Sequence, residues 1–464
     1  MVLNSLLLGK PLPEVSALSL KGHVEKFTEG WFEAAKRARD NNAADPLPLY
    51  RELEYIHVEM SLSRWITKEG IVHLHEAAKI LLKETGLKGR VSVDTSLRSI
   101  VRGLEEHWKN AVKRQKFSLD AIILIAKRNI QASKRDDGTY FVPVHFSNSV
   151  KTTDLTIGPC RMISRKIFEK LISAPYDEYC AKLDKENMYF SSDWESFSEN
   201  FDHVICVNVV GFEENLAWSA ARDVADMFLN VIRMYLKFGA ARDVRLAGEY
   251  IRVKSGASMR LSEDGRISLS LTRAWPGAMV EEGWDADFLH QSKWWTGLFK
   301  SEFQIAIEPL WKKSPIRERI SYFNHLISEA YSEPHARIRL VRTIAALEAF
   351  AVIDRTDKAH QLANHCALAG GFGEPERYID IYDDVKNAYR WRNAVVHGDA
   401  PEISEASQAF LKLERHLLRI ALGFLWLFAT ISNDMEVRHI KHLRRAVRDR
   451  INLFFWDPHL LTRF

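Results

Sequence analysis

The chain has 464 residues, of which 46% are hydrophobic and 27% charged, with a formal net charge of +4. Its 22 glycines and 14 prolines are too few for a collagen-like or largely disordered chain, while 11% aromatic residues supply material for large cores. Four cysteines without a CxxC pair exclude a disulfide scaffold and argue against a zinc site of ordinary spacing.

Taken in order, the first 13 residues (MVLNSLLLGKPLP) are mildly aliphatic but interrupted by polar positions, and no cleavage-like site follows. No signal peptide is expected. EVSALSLKGH (14–23) reads as a strand and TEGWFEAAKRARDNN as a helix. Residues 46–132 read as mostly helical, on the three-to-four spacing of apolar residues in 75–86 and 96–115, with Gly86 as a stop. DAIILIAKRNI (120–130) fits a buried helix or a strand equally well. The texture changes at about Lys134. There a DG turn, alternation at Phe141, Val144 and Phe146, and the β-branched runs 155–163 and 203–212 indicate strands. A helix is expected at 215–239, stopped by Gly239, and a hairpin at 250–275 turning on Asp264-Gly265.

From about residue 285 every segment has helical periodicity. The expected fold class is α+β: a mixed α/β region over 1–285, with a further break near 133, followed by an all-α bundle over 286–464. The longest apolar run, Ile420 to Ile431, is too short to span a bilayer and reads as a buried helix. A cytoplasmic location with no membrane partner follows as an expectation.

The most informative stretch is Tyr389-Arg390-Trp391-Arg392-Asn393-Ala394-Val395-Val396-His397-Gly398. An R-x4-H match alone carries little information. Here it ends an apolar-periodic helix, has Gly398 as a stop and precedes a long helix. The residue types suit RNA cleavage by the internal 2′-OH. Histidine titrates near neutrality and can take or give a proton, and arginine matches phosphate geometry with a permanent charge. Asn393 could orient either the histidine or the phosphate. On an ideal helix, residues five apart are about 140° apart, so Arg392 and His397 converge poorly on one phosphate unless the helix distorts near Gly398 or a second copy contributes.

This stretch, with RLVRTIAALEAF (339–350) upstream, resembles the HEPN domain (higher eukaryotes and prokaryotes nucleotide-binding), and in particular its Apea-like group. HEPN ribonucleases carry R-[N/D/H]-x-x-x-H, and R392-N393-A-V-V-H397 fits that pattern. The resemblance covers about residues 290–432. It implies a metal-independent endoribonuclease without a cofactor, with Arg392, Asn393 and His397 catalytic and Glu348 supporting them. It also implies a homodimer with a composite site, and a role as a toxin or anti-phage effector. Such an effector cuts RNA, tRNA among the targets, on a phage-derived trigger or under restraint by an antitoxin. The alternative is a catalytically inactive HEPN module that binds RNA or a protein partner and dimerises.

Other constellations are weaker. Tyr389 could stack on a base or pack in the core. Arg438, Lys441, Arg445 and Arg448 fall at spacings of three and four and make one basic helix face, a candidate RNA contact interleaved with acids. KNAVKRQK (109–116) and KRNIQASKR (127–135) are similar. His360, His365 and Cys366 have no metal-ligand spacing, and His73-Leu74-His75-Glu76 is not a zinc signature. The glycine-rich segment 370–373 reads as a flexible connection that could cover the site or lengthen a turn.

Overall fold

The computed structural model describes residues 18–40, 53–57, 63–114, 118–133, 135–146, 153–182, 201–241, 244–247, 255–261, 267–273, 280–281, 283–292, 297–300, 303, 314–351, 357–372, 374–399, 402–435 and 437–455. Two compact units result: Met1–Asp137 with Val210–Ala217 and Pro309–Trp311, and Gly138–Val209 with Trp218–Glu308 and Lys312–Phe464. Residue 285, the boundary expected from the sequence, lies inside the second unit.

In the first unit, α1 (Leu20–Asp40), α2 (Lys68–Glu84), α3 (Val93–Arg114) and α4 (Leu119–Gln131) pack around one apolar cluster. Val24, Phe27, Leu74, Leu81, Ile100 and Ile122 lie at its centre. Local chemistry sets the ends. Thr67 caps α2 by accepting the Gly70 N–H, Ser118 caps α4 by accepting that of Ala121, and Gly86 follows α2 at φ +70°. The segment 120–130 is therefore helical. Two expectations are corrected. Residues from Leu20 open a helix rather than continue a strand, because Leu20, Val24 and Phe27 recur at helical spacing on its buried side. Inside the stretch expected to be helical, β1 (Leu53–His57) pairs antiparallel with β2 (Ser63–Thr67), from Leu53↔Thr67 to His57↔Ser63.

The second unit combines a sheet with a helical bundle. The sheet is antiparallel, in the order β4 (Asp154–Ile157), β5 (Cys160–Ser164), β6 (His203–Phe212), β3 (Asp136–His145), β7 (Arg245–Leu246). The expected run 155–163 is a tight hairpin, β4 to β5, turning where Gly158 adopts φ +59°. The DG pair at 137–138 makes no turn, since β3 runs through it. α5 (Arg165–Lys182) follows β5, and its Phe168 packs with Ile163 and Val204. α6 (Glu214–Ala241) continues past Gly239; its break falls at Lys237, with φ 66° and ψ 163°. The backbone N–H of Phe238 then donates to the buried carboxylate of Glu414. β8 (Ser255–Leu261) and β9 (Ile267–Arg273) form the expected hairpin, whose turn at 264–265 lies outside the described residues.

After α7 (Trp284–Ser292) and the helical residues 297–300, the described residues include α8 (Pro315–Ser332), α9 (Ala336–Ala351), α10 (Lys358–Gly371), α11 (Pro375–Val396), α12 (Ile403–Asp434) and α13 (Ile440–Phe455). α8 pairs with α9 and α10 with α11, and α12 packs against α9, α10 and α11. Ser314 with Pro315 starts α8, Pro375 occupies the first turn of α11, and Glu402 with Glu405 forms a capping box on α12. The core is aromatic. Phe323 and Phe350 stack at 3.8 Å, and Phe424 and Phe428 each lie 5.7 Å from Phe350. α12 is long and apolar enough to cross a membrane, but 61% of its most apolar window is buried inside the protein. The glycine-rich segment was expected to be a flexible connection, and its described residues 370–372 are not one, while Gly373 lies outside the described residues. Gly370 and Gly371 are buried in the last turn of α10, which ends on Phe372 at φ 48°. Gly370 is needed there because a Cβ at that position would press on Ile381 and Ile420.

Candidate functional site

The R-x4-H stretch occupies the last two turns of α11. Its buried side is Ile381, Val385, Ala388 and Tyr389, spaced to face α9, α10 and α12. Polar ties fix the helix in position. His416 of α12 meets Asp384 at 3.1 Å, the Tyr378 hydroxyl donates to Asn364 of α10 at 2.7 Å, and His360 pairs with Tyr382 at 2.7 Å.

Arg392 lies on the flank between this buried side and solvent, with its side chain 23% exposed. Its Nη2 lies 3.6 Å from Oε2 of Glu348 on α9, and its Nη1 donates to Oδ1 of Asn393 at 3.0 Å. The guanidinium also sits 5.5 Å from the centre of the Tyr389 ring. Its buried Nε has no hydrogen-bond partner among the described residues. Glu348 therefore faces Arg392, and Asn393 orients the arginine rather than the histidine. Tyr389, read above as an RNA base-stacking residue or a core residue, is only 6% exposed. At the spacing of Val385 and Ala388 the ring belongs to the core, which corrects the base-stacking alternative. Burial, and then the negative charge of Glu348, push its phenol above the ordinary range.

His397 sits one residue past the end of α11, at φ −86° and ψ 3°, with its N–H still bonded to the Asn393 carbonyl at 2.9 Å. Gly398 follows at φ +90° and turns the chain away. The helix is regular up to Val396, so no distortion brings His397 round to Arg392. The imidazole is exposed and has no hydrogen-bond partner among the described residues. Two exposed apolar side chains, Val396 (51%) and Ile403 (66%), lie close to it in sequence.

An open cleft of about 460 Å³ lies beside the motif. Asp383, Lys386, Asn387, Arg390 and Asn393 of α11 line it together with Tyr389 and with Ala359 of α10. Sequence reasoning named Asn393 and Tyr389 but missed the other five, of which Asp383, Lys386, Asn387 and Arg390 lie on α11. Their spacing is that of any solvated helix face, and only the approach of α10 makes that face concave.

The remaining candidates lie elsewhere. Arg438, Lys441, Arg445 and Arg448 are exposed, on or just before α13, which packs mainly against α10 and α12. Asp449 lies 3.6 Å from Arg445 and 3.7 Å from Arg448, so part of that charge is balanced. In the first unit, Lys127 and Arg128 pair with Glu84 and Glu106. His365 bonds the Ala351 carbonyl at 2.8 Å, and Cys366 is buried with its thiol pushed up by desolvation. Among the described residues no group of three or more histidine, cysteine or carboxylate side chains could hold a metal ion. Compared with protein-family models, with curated proteins and with solved structures, the chain matches none of them.

Proposed function

We propose that the chain is a metal-independent endoribonuclease of the HEPN type, working as a toxin or anti-phage effector. Arg392, Asn393 and His397 carry the chemistry, and Glu348 positions Arg392. The observation that carries this reading is the contrast between the two motif residues. The guanidinium is held by Glu348 and Asn393, while the imidazole one turn on is exposed, and an open cleft lined by Asn393 lies on the same helix. A buried or fully engaged His397 would favour an inactive binding module instead.

The chemistry runs as follows. His397 takes the proton of a ribose 2′-OH, and that oxygen attacks the adjacent phosphorus. The positive charge of Arg392 offsets the charge of the phosphorane. The P–O5′ bond breaks, the 5′-oxygen takes a proton, and a 2′,3′-cyclic phosphate and a 5′-hydroxyl remain. Because α11 stays regular, Arg392 and His397 of one copy point about 140° apart. A homodimer that sets two motifs face to face supplies the second proton-transfer group and brings an arginine to the phosphate.

Incubation of total RNA and tRNA with the purified protein in chelator tests the reading. The expected fragments carry a 2′,3′-cyclic phosphate and a 5′-hydroxyl. Fragments ending in a 3′-hydroxyl, or cleavage that requires a divalent ion, would overturn it.

A further inference from the structure

We infer that the cleft on α11 is a base-reading subsite for single-stranded RNA that prefers a base carrying an exocyclic amino group and disfavours uracil. The inference rests on the ribonuclease reading and adds a substrate preference to it.

Asp383, Lys386, Arg390, Asn393 and His397 follow one another at spacings of three and four, so they share one face of α11 and its end. With a rise of about 1.5 Å per residue, Arg390 lies about 10 Å along the axis from His397, and Lys386 about 6 Å further. A strand held at its scissile phosphate by the motif would pass its neighbouring nucleotides along these cations.

The cleft has room for a nucleotide, and its groups differ in kind. Lys386 and Arg390 are exposed cations suited to phosphates. Asp383 and Asn387 carry hydrogen-bonding groups with no partner among the described residues. The neighbouring Asp384, by contrast, is taken by His416. An acceptor-only carboxylate repels phosphate, so a nucleotide that covers the exposed Asp383 must present a donor to it in place of water. Splayed bases are read on their Watson–Crick edges, and cytosine N4 is a donor that carboxylates accept. Uracil presents a carbonyl oxygen there, which Asp383 repels, and its one donor, N3–H, lies further along the edge.

The test uses the full chain carrying His397→Ala, with fluorescently labelled oligocytidine and oligouridine read by anisotropy across a salt series. Tighter binding of oligocytidine is expected. Lys386→Ala and Arg390→Ala should each weaken both strands alike and lower the salt slope by about 1. Asp383→Ala should remove the preference by raising affinity for oligouridine. Circular dichroism establishes that these surface variants fold. Equal binding of the two strands, a preference that survives Asp383→Ala, or no binding would each overturn the subsite. The ribonuclease reading fails separately, if the wild-type chain binds RNA but cuts none. If it cuts while the cleft variants keep rate and cut position, the subsite alone fails.

Discussion

Arg392 of α11 and Glu348 of α9 form a half-buried ion pair, Nη2 to Oε2 at 3.6 Å, that joins the motif helix to the core helix beneath it. Nη1 is already engaged by Asn393, so Glu348 sets where the charge sits and Asn393 how the fork is turned. Glu348→Gln keeps the shape and removes the charge. In the proposed mechanism kcat falls about 10- to 100-fold with little change in KM, as expected when a group that orients a transition-state contact is lost. A second readout needs no activity. Without the Glu348 charge the Tyr389 phenol titrates closer to its ordinary range, while burial still holds it raised. Ultraviolet pH titration of the variant against wild type reads that shift.

The crossing of α10 and α12 depends on Gly423. A Cβ at that position would fall onto the Ala369 carbonyl, backbone that cannot move aside. Gly423→Ala should destabilise the chain by about 1–3 kcal/mol or more, through overpacking, despite its better helix propensity. Chemical denaturation read by tryptophan fluorescence measures the change in midpoint.

In the first unit, Nδ1 of His23 lies 3.1 Å from Nδ1 of His73, and the two rings are 1% and 8% exposed. Only an imidazole without a proton at Nδ1 can accept this bond, so one ring must be neutral there. Burial, and then repulsion from His73, lower the His23 pKa from its ordinary 6.5, against a smaller opposing pull from Glu76. The native state then binds fewer protons than the unfolded one below about 6.5. Stability is full above that pH and falls as the solution is acidified toward the lowered pKa. His23→Gln should flatten this part of the profile, measured as denaturation midpoint against pH.

The carboxyl of Glu414 gives the opposite slope. Burial raises its pKa, despite the neighbouring Tyr331 hydroxyl and the hydrogen bond from the Phe238 N–H, which pull it down. Its stability contribution is full below the ordinary carboxylate range and is lost as pH rises through the raised value. Glu414→Gln should remove that decline, and differential scanning calorimetry across pH reads it.

Helical segments were legible wherever apolar spacing was long and regular, as in α9, α11 and α12. The β1–β2 hairpin was not, because residues 53–67 contain no glycine or proline to mark the turn. The break in α6 was expected at Gly239 and falls at Lys237, where the Phe238 N–H bonds Glu414, 176 residues away in sequence. No local pattern encodes such a contact. Within the site, the motif residues were readable, whereas the choice of Arg392 as the partner of Glu348 came only from the packing of α11 on α9. The burial of Tyr389 was an open alternative that packing decided, and the cleft residues became visible only once α10 lay beside them.

In the proposed ribonuclease, His397 acts on RNA without metal. The most direct measurement compares wild type and His397→Ala on total RNA and tRNA in excess chelator, at equal concentration and with matched circular dichroism. The expected result is fragments bearing 2′,3′-cyclic phosphate from the wild type and a loss of about 10²- to 10⁴-fold in rate for the variant, the usual size of a general acid–base contribution. Cleavage at an unchanged rate by His397→Ala would contradict it.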